Sequence, residues 1–278
     1  MFLYDFITEK YVKAALEEDI GLDDVSTSAL KKFDKEVTAY LNTRQDGVLC
    51  GCSVFEQAFK IVSGGSVKIK FFFKDGDLIK AGDKIAEING SALHILTSER
   101  VALNFLQRMS AIATNTRKYV DALKGTNTQI ADTRKNTPNF RLFEKYAVSV
   151  GGAAMHRFNL SDCVMLKDNH IALAGSVEKA VEAVRETGSF AHKIEVECDN
   201  IEQVREALSA KADIIMLDNM DDAKQEECIK LINGRAIVEI SGNVTLERLK
   251  DLSHKGAGFI STSSLVGRAG TLDFGLDF

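Results

Sequence analysis

Six short apolar segments alternate with segments of helical periodicity after residue 128, and this alternation restricts the fold more than any other feature of the chain. The apolar segments are 129–133, 163–166, 194–197, 214–217, 237–240 and 259–261. Between them, apolar residues recur at spacings of three and four, as Phe143, Ala147 and Val150 illustrate. The pattern is typical of parallel strands covered by helices, and a β/α barrel is its natural closure. Residues 155–157 are a candidate seventh strand.

The N-terminal part of the chain shows a different pattern. Its predicted strands are 37–43, 67–71 and 79–88. The middle one alternates between apolar and charged side chains, as in an antiparallel strand with one exposed face. Residues 98–111 predict a helix, because apolar side chains recur on one face. We therefore expect an α+β domain over residues 1–110 and a barrel domain over residues 111–271.

The composition limits the classes of function. The net charge of −5 argues against a nucleic-acid partner, because nucleic-acid-binding domains are usually basic. The chain has no signal-peptide pattern and no apolar run of about 18 residues, so we expect no membrane partner. The five cysteines are scattered and are predicted to be small buried side chains in a reducing compartment. The expected location is the cytoplasm.

Cationic side chains are concentrated in one region of this acidic chain. They are Arg134, Lys135, Arg141, His156, Arg157 and Lys167. Arginine binds carboxylates and phosphates through paired hydrogen bonds, and lysine binds them as a point charge. The concentration therefore indicates a site for a small, highly charged anion.

Polar residues follow nearly every predicted strand of the barrel. They lie at 134–135, 167–170, 197, 218–219, 241–243 and 261–264. The carboxyl ends of barrel strands form the active site. Glu197 and Asp218 are expected either to coordinate Mg²⁺ or to stabilise positive charge developing on a sugar carbon. Ser241, Gly242 and Ser263 are candidates for binding phosphate, so the set fits a phosphorylated sugar and an acidic co-substrate.

At these positions the chain closely resembles the quinolinate phosphoribosyltransferase family, the carboxylating nicotinate-nucleotide pyrophosphorylases. The matching segments are 16–21, 47–51, 98–108, 132–138, 144–148, 156–157, 167–170, 217–219 and 240–243. The resemblance implies an N-terminal α/β sandwich domain, to which residues 272–278 return, followed by an open seven-stranded β/α barrel. It also implies a homodimer, or a hexamer built as a trimer of dimers, with Arg100 donated across the interface.

The resemblance further implies an activity: transfer of the phosphoribosyl group of phosphoribosyl pyrophosphate to quinolinate with decarboxylation. The products are nicotinate mononucleotide, pyrophosphate and CO₂, in NAD biosynthesis. The implied substrate-binding residues are Arg100, Thr133, Arg134, Lys135, His156, Arg157, Lys167, Ser241, Gly242 and Ser263. The implied catalytic residues are Lys135, Lys167, Glu197 and Asp218, and Mg²⁺ is expected at Glu197 and Asp218.

Two departures from the family pattern leave alternatives open. Ser263 stands where the family usually has glycine, and Gly267 stands where it usually has histidine. A ModD-like paralogue, or a non-catalytic homologue that binds a nucleotide or metabolite, is therefore an alternative. An aldolase-type barrel with Lys135 or Lys167 as a Schiff-base lysine fits less well, because that chemistry favours a lysine in an apolar pocket. The intact segment 167–170 favours the quinolinate enzymes.

Overall fold

The computed structural model describes residues 1–278, which form two compact units. The first unit comprises Met1–Arg117, Thr137–Gly152 and Val266–Phe278, and the second comprises Lys118–Asn136 and Ala153–Leu265. The first contains an antiparallel sheet and the second a parallel β/α arrangement, which confirms the predicted mixed α/β class. None of the helices is both long enough and apolar enough to cross a lipid bilayer.

The helices and strands are numbered in chain order. The helices are α1 Asp5–Ile20, α2 Val25–Ala29, α3 Cys52–Ser63, α4 Ala92–Ala122, α5 Arg141–Gly151, α6 Asp168–Ala174, α7 Val177–Thr187, α8 Ile201–Ser209, α9 Asp222–Ile232, α10 Leu249–Ser253 and α11 Ser264–Gly267, with a 3₁₀ turn at Lys31–Phe33. The strands are β1 Glu36–Thr43, β2 Gly47–Val48, β3 Lys68–Phe71, β4 Leu78–Ile79, β5 Lys84–Ser91, β6 Gln129–Ala131, β7 Val164–Leu166, β8 Ile194–Cys198, β9 Ile214–Asp218, β10 Ile237–Ser241, β11 Phe259–Ser261 and β12 Phe274–Asp277.

The main sheet of the first unit has the strand order β12-β1-β5-β3, with antiparallel pairing throughout. Successive side chains of a strand face opposite sides, and in β1 the apolar Ala39 and Leu41 take the buried side. Helix α3 is amphipathic, and its Phe55 and Phe59 are buried with ring centroids 5.0 Å apart. Phe55 also contacts Phe71 of β3 edge-on, at a centroid distance of 6.0 Å. The aromatic side chains thus bury one face of α3 in the core of this unit.

The predicted strand at 79–88 was wrong in one respect, because it is two strands separated by a tight turn. Gly82 has a φ of +93°, which glycine adopts without strain, and the Lys80 N–H donates to Asp83 Oδ2 at 2.8 Å. Ile79 and Ile85 lie six positions apart, an even number. The two-residue alternation of apolar side chains therefore stays in phase across the turn, and the sequence pattern does not reveal the turn. The predicted helix at 98–111 lies within the longer α4.

Helix α5 was predicted within the barrel domain, but it belongs to the first unit. Its buried Phe143 contacts Phe105 of α4 at a ring-centroid distance of 4.9 Å and Tyr11 of α1 at 5.7 Å. Glu144 is fully buried, and its Oε1 lies 3.6 Å from Arg108 Nη2. A boundary drawn along the chain near residue 110 separates these partners, whereas aromatic packing and a buried ion pair hold them together.

The sheet of the second unit has six parallel strands in the order β6-β11-β10-β9-β8-β7, each formed by one of the six predicted apolar segments. Residues at equivalent depths are paired in register, with Glu197 opposite Met216 and Ser241 opposite Asp218. Because all six strands run the same way, their carboxyl ends meet at one end of the sheet.

The candidate seventh strand at 155–157 is reduced to an isolated parallel bridge between Ala131 and Ala154. The Ala154 N–H donates to Ile130 O at 2.9 Å, but the backbone N–H two residues later does not continue the hydrogen bonding between strands. The His156 N–H donates to the side-chain Oδ1 of Asp132 at 2.8 Å. A side chain therefore replaces the backbone acceptor that would have extended the strand.

Candidate active site

A cavity of about 450 Å³ lies at the carboxyl ends of the parallel strands in the second unit. It is lined by Thr133, Arg134, Lys135, His156, Arg157, Met165, Lys167, Glu197, Met216, Asp218, Asn219, Ser241, Gly242, Asn243 and Ser261. Each of the six strands supplies either one of its own residues or one from the loop that follows. The cavity is therefore assembled by the sheet itself, at the end where barrel enzymes place their active sites.

Most of the residues proposed from the sequence are brought together here. They are Thr133, Arg134, Lys135, His156, Arg157, Lys167, Glu197, Asp218, Ser241 and Gly242. Two others are not part of this lining. Arg100 is exposed on α4 in the first unit, and Ser263 lies beyond Ser261, which is the last residue of the lining.

Two lining residues, Met165 and Met216, were missed from the sequence because they resemble ordinary core residues. Each lies two positions before a polar residue at the end of its strand or directly after it, Asp218 or Lys167. Side chains two apart in a strand face the same side, so this spacing was the signal that places them inside the cavity. The methionines give the polar cavity an apolar wall against which a flat ring can pack.

Lys167 and Glu197 form an ion pair within the cavity, in which Lys167 Nζ donates a hydrogen bond to Glu197 Oε2. The backbone at Lys167 is held in turn by His170, whose Nδ1 accepts from the Lys167 N–H at 3.0 Å. His170 therefore shapes the start of α6. The pair places a cation and a carboxylate side by side, which suits a ligand with negative charge next to a centre that becomes positive.

Asp218, Asn219 and Gly242 form a tight junction between the ends of β9 and β10. Asn219 Nδ2 donates to Asp218 Oδ2 at 2.6 Å, and the Asn219 N–H donates to Ser241 O at 3.1 Å. Asn219, Gly242 and Asn243 all have positive φ values, of 53°, 90° and 50°. These bonds orient the Asp218 carboxylate and bring the 241–243 turn close to it.

Gly242 cannot be replaced without strain. A Cβ atom there would lie 2.3 Å from Asn219 Oδ1, and the φ of +90° is unfavourable for any side chain. We expect Gly242→Ala to lower the free energy of unfolding by about 2 kcal/mol, as measured by urea titration. Gly258→Ala is the matched control, because its Cβ would meet nothing closer than Val238 O at 3.7 Å. Equal stability of the two variants would contradict the assigned strain.

The cations of the cavity are close enough to influence one another. Burial lowers the pKa of Arg157 below its usual value, and the positive charge of Arg134 lowers it further. Arg157 Nη1 is anchored by donating to Cys163 O at 2.9 Å. Repulsion between the partly buried guanidinium of Arg157 and the positive charge of Arg134 is relieved when an anion binds between them. The arrangement thus favours an anionic ligand at this side of the cavity.

A buried acidic pair lies deeper, next to His156. His156 Nε2 is 3.3 Å from Glu195 Oε2 and 3.6 Å from Glu239 Oε2, and both carboxyl groups are almost completely buried. Burial, and then the charge of Glu195, raise the pKa of Glu239 to about 7. Ligand atoms of the three side chains lie within 4.8 Å of one another, which is close enough for them to share a cation or a proton.

Comparisons with known proteins identify the family. Models of the N-terminal and C-terminal domains of quinolinate phosphoribosyl transferase match residues 24–110 and 112–277. The probable carboxylating nicotinate-nucleotide pyrophosphorylase of Synechocystis sp. is 38% identical over 273 residues, which cover 97% of this chain and 92% of that protein. The carboxylating nicotinate-nucleotide pyrophosphorylase of Arabidopsis thaliana is 39% identical over 284 residues, covering 95% and 81%.

Solved structures give the same result for the fold. A crystal structure of NadC from Streptococcus pyogenes is 44% identical and superposes with a TM-score of 0.95, covering 100% of this chain and 98% of that one. The nicotinate-nucleotide pyrophosphorylase of Francisella tularensis superposes with a TM-score of 0.93 at 32% identity, covering 99% and 97%. Both domain models, the relatives and the cavity lead to one assignment. The chain belongs to the quinolinate phosphoribosyl transferase family.

Proposed function

We propose that this protein transfers the phosphoribosyl group of phosphoribosyl pyrophosphate to quinolinate and releases pyrophosphate and CO₂, forming nicotinate mononucleotide. The observation that carries the proposal is the convergence of four cations and two carboxylates in one cavity. They are Arg134, Lys135, Arg157, Lys167, Glu197 and Asp218. A site for anions alone gains nothing from carboxylates, whereas a phosphoribosyl transfer develops positive charge on the sugar and needs them.

The cations that bind the substrate carboxylates lie in the loop after β6 and in the segment between α5 and β7. Arg134, Lys135 and Arg157 hold the dicarboxylate, and the two arginines supply paired donors. The apolar wall formed by Met165 and Met216 lies in the same cavity and accommodates the pyridine ring. Held in this way, the ring nitrogen faces the ribose carbon, so a reaction between two molecules is converted into one within a complex.

The ribose carbon is attacked by the pyridine nitrogen while its bond to pyrophosphate breaks. Positive charge develops on the ribose and is stabilised by Glu197 and Asp218. Lys167, paired with Glu197, neutralises the leaving pyrophosphate, and Ser241 with Gly242 binds the 5′-phosphate. The quaternised ring nitrogen then withdraws electrons, the bond from C2 to its carboxylate breaks, and C2 takes up a proton as CO₂ leaves.

A magnesium ion fits the donor set of the cavity. The carboxylate oxygens of Glu197 and Asp218 and the hydroxyl of Ser241 are hard oxygen donors on neighbouring strands, the ligand type that Mg²⁺ prefers. Bound there, the ion supplies charge neutralisation for the pyrophosphate.

The reaction is tested by incubating the protein with quinolinate carrying ¹⁴C in the 2-carboxylate, phosphoribosyl pyrophosphate and MgCl₂. We expect equimolar ¹⁴CO₂ and nicotinate mononucleotide, and no ¹⁴CO₂ when phosphoribosyl pyrophosphate is omitted. Binding of both substrates without product would instead identify a non-catalytic homologue. Absence of both binding and product would reject the assignment of this cavity.

We further propose that the protein acts as a homodimer, or as a trimer of such dimers, in which Arg100 completes the partner's site. Arg100 is exposed on α4 and does not line the cavity of its own chain. An exposed arginine in a family that binds dicarboxylates is suited to reach a symmetry-related cavity.

A complementation experiment tests the donation of Arg100. Arg100→Ala and Lys135→Ala chains, each nearly inactive alone, are co-expressed with two tags and mixed dimers are formed. Each mixed dimer then holds one intact site, so a random mixture should recover about a quarter of wild-type activity. Lys135→Ala with Glu197→Gln is the matched control, since both changes lie in the same unit and no intact site forms. Absence of recovery in the test pair would exclude the donation, and the control pair should stay inactive in either case.

A further inference from the structure

Glu195 and Glu239 lie one layer deeper in the barrel than the cavity residues. Each precedes a lining residue by two positions, Glu197 or Ser241, and therefore faces the same side of its strand. Both line a second cavity of about 340 Å³, to which His156 also belongs. His156 and Arg157 are shared by the two cavities, so they connect the buried carboxyl groups to the proposed substrate site.

The two ring nitrogens of His156 face groups of opposite kinds. Nδ1 accepts a hydrogen bond from the Arg157 N–H at 2.6 Å, so it carries no proton. In a neutral imidazole the proton is then on Nε2, which faces Glu195 Oε2 at 3.3 Å and Glu239 Oε2 at 3.6 Å. The resemblance implied that His156 binds the substrate dicarboxylate, which stays a prediction, and in this structure both ring nitrogens face groups of the protein.

We propose that Glu195, flanked by Glu239, is a positioning residue that fixes the tautomer of His156 and thereby holds Arg157 in place for the substrate carboxylate. The expected effect on substrate binding rests on the proposed function, whereas the assignment of the His156 tautomer does not. Glu195 Oε2 is the nearer carboxylate oxygen, and it lies in a fully buried position where a charge interaction with the ring is poorly screened. A carboxylate that orients an imidazole from behind acts on the reaction without touching the substrate.

The consequence of losing Glu195 follows from the hydrogen-bond geometry. Without Glu195, the nearest carboxylate oxygen to Nε2 is the more distant Glu239 Oε2 at 3.6 Å, so the tautomer with its proton on Nε2 loses support and the one with its proton on Nδ1 gains population. The Nδ1–H would then point at the Arg157 N–H. Two hydrogen-bond donors would face each other, with their nitrogen atoms only 2.6 Å apart. The backbone at Arg157 must move to relieve this contact, and the hydrogen bond that anchors its guanidinium on Cys163 O is strained, which displaces the guanidinium.

The kinetic test compares Glu195→Leu with the conservative Glu195→Gln, which keeps an acceptor oxygen at the same place. For Glu195→Leu we expect KM for quinolinate to rise at least about tenfold, while KM for phosphoribosyl pyrophosphate stays within about twofold. Glu195→Gln should recover most of the loss. Glu202→Gln, on the exposed side of α8, is the control for a change of charge. An equal rise in both KM values, not recovered by glutamine, would show a merely structural role and overturn the proposal.

The tautomer is measured directly, without reference to activity, by long-range ¹H–¹⁵N correlation spectra of protein labelled in its five histidines. Wild type and Glu195→Gln should show one ring with an unprotonated Nδ1 and a protonated Nε2, assigned by its loss in His156→Gln. Glu195→Leu should shift that ring toward the other tautomer, and an unchanged ring would overturn the proposal. Dialysis against EDTA should leave the wild-type spectrum unchanged. A shift would show that a cation holds the ring and would equally overturn it.

Discussion

Lys135→Ala is expected to reduce turnover at least about a hundredfold, because a preorganised charge that stabilises the transition state is lost. Lys135 is exposed at the cavity, and only its backbone N–H is held, by Thr133 Oγ1 at 3.1 Å. Truncation of its side chain therefore removes a charge without disturbing the core. The measurement is the steady-state release of CO₂ from quinolinate at saturating concentrations of both substrates.

Two comparisons make the result for Lys135 specific. The thermal unfolding midpoint of Lys135→Ala should match that of wild type, because no buried contact is removed. Lys124→Ala removes another exposed lysine, which pairs only with Asp121 at the surface, and its turnover should be that of wild type. Near-normal turnover in Lys135→Ala would reject the assigned role.

Glu197→Gln should lower kcat by about a hundredfold with a small change in KM, because its charge is required only as positive charge develops on the ribose. Glutamine keeps the size of the side chain and an oxygen that accepts from Lys167 Nζ, so the pairing geometry is retained. Single-turnover kinetics with preformed substrate complex separate the chemical step from binding and release.

The matched control for Glu197 is Glu202→Gln, which removes one carboxylate from the exposed side of α8. Its kcat should equal that of wild type, because a charge in water is screened from the cavity. If Glu197→Gln raised KM for phosphoribosyl pyrophosphate and left kcat unchanged, the carboxylate would act in ground-state binding of the metal or sugar instead.

Periodicity in the sequence predicted the parts of the fold where local pattern and burial agree. The six parallel strands are short, mostly apolar segments between amphipathic helices, so each could be recognised alone, and the polar residues near the end of each strand marked the cavity. Lys167, Glu197 and Asp218 converge there for this reason. The turn at Gly82 was hidden because apolar spacing stays in phase across it.

Other features depend on contacts between residues far apart in the chain, which no local pattern records. The association of Phe143 with Phe105 and Tyr11 is decided by packing, so the membership of α5 was not apparent. The orientation of the His156 ring depends on Arg157 as well as on Glu195. Residue type predicted that His156 is part of the site, but only its hydrogen bonds show which way it faces.

The return of α5 to the first unit has a consequence for genetic dissection of this protein. The chain leaves the first unit after Arg117, re-enters it for Thr137–Gly152, and re-enters it again from Val266. Neither unit is therefore encoded by one uninterrupted stretch. A gene fragment starting near codon 111 would include α5 without its packing partners in the first unit, and the aromatic face of that helix would be exposed to solvent. The halves cannot be swapped between relatives as simple cassettes, so they are expected to have diverged together.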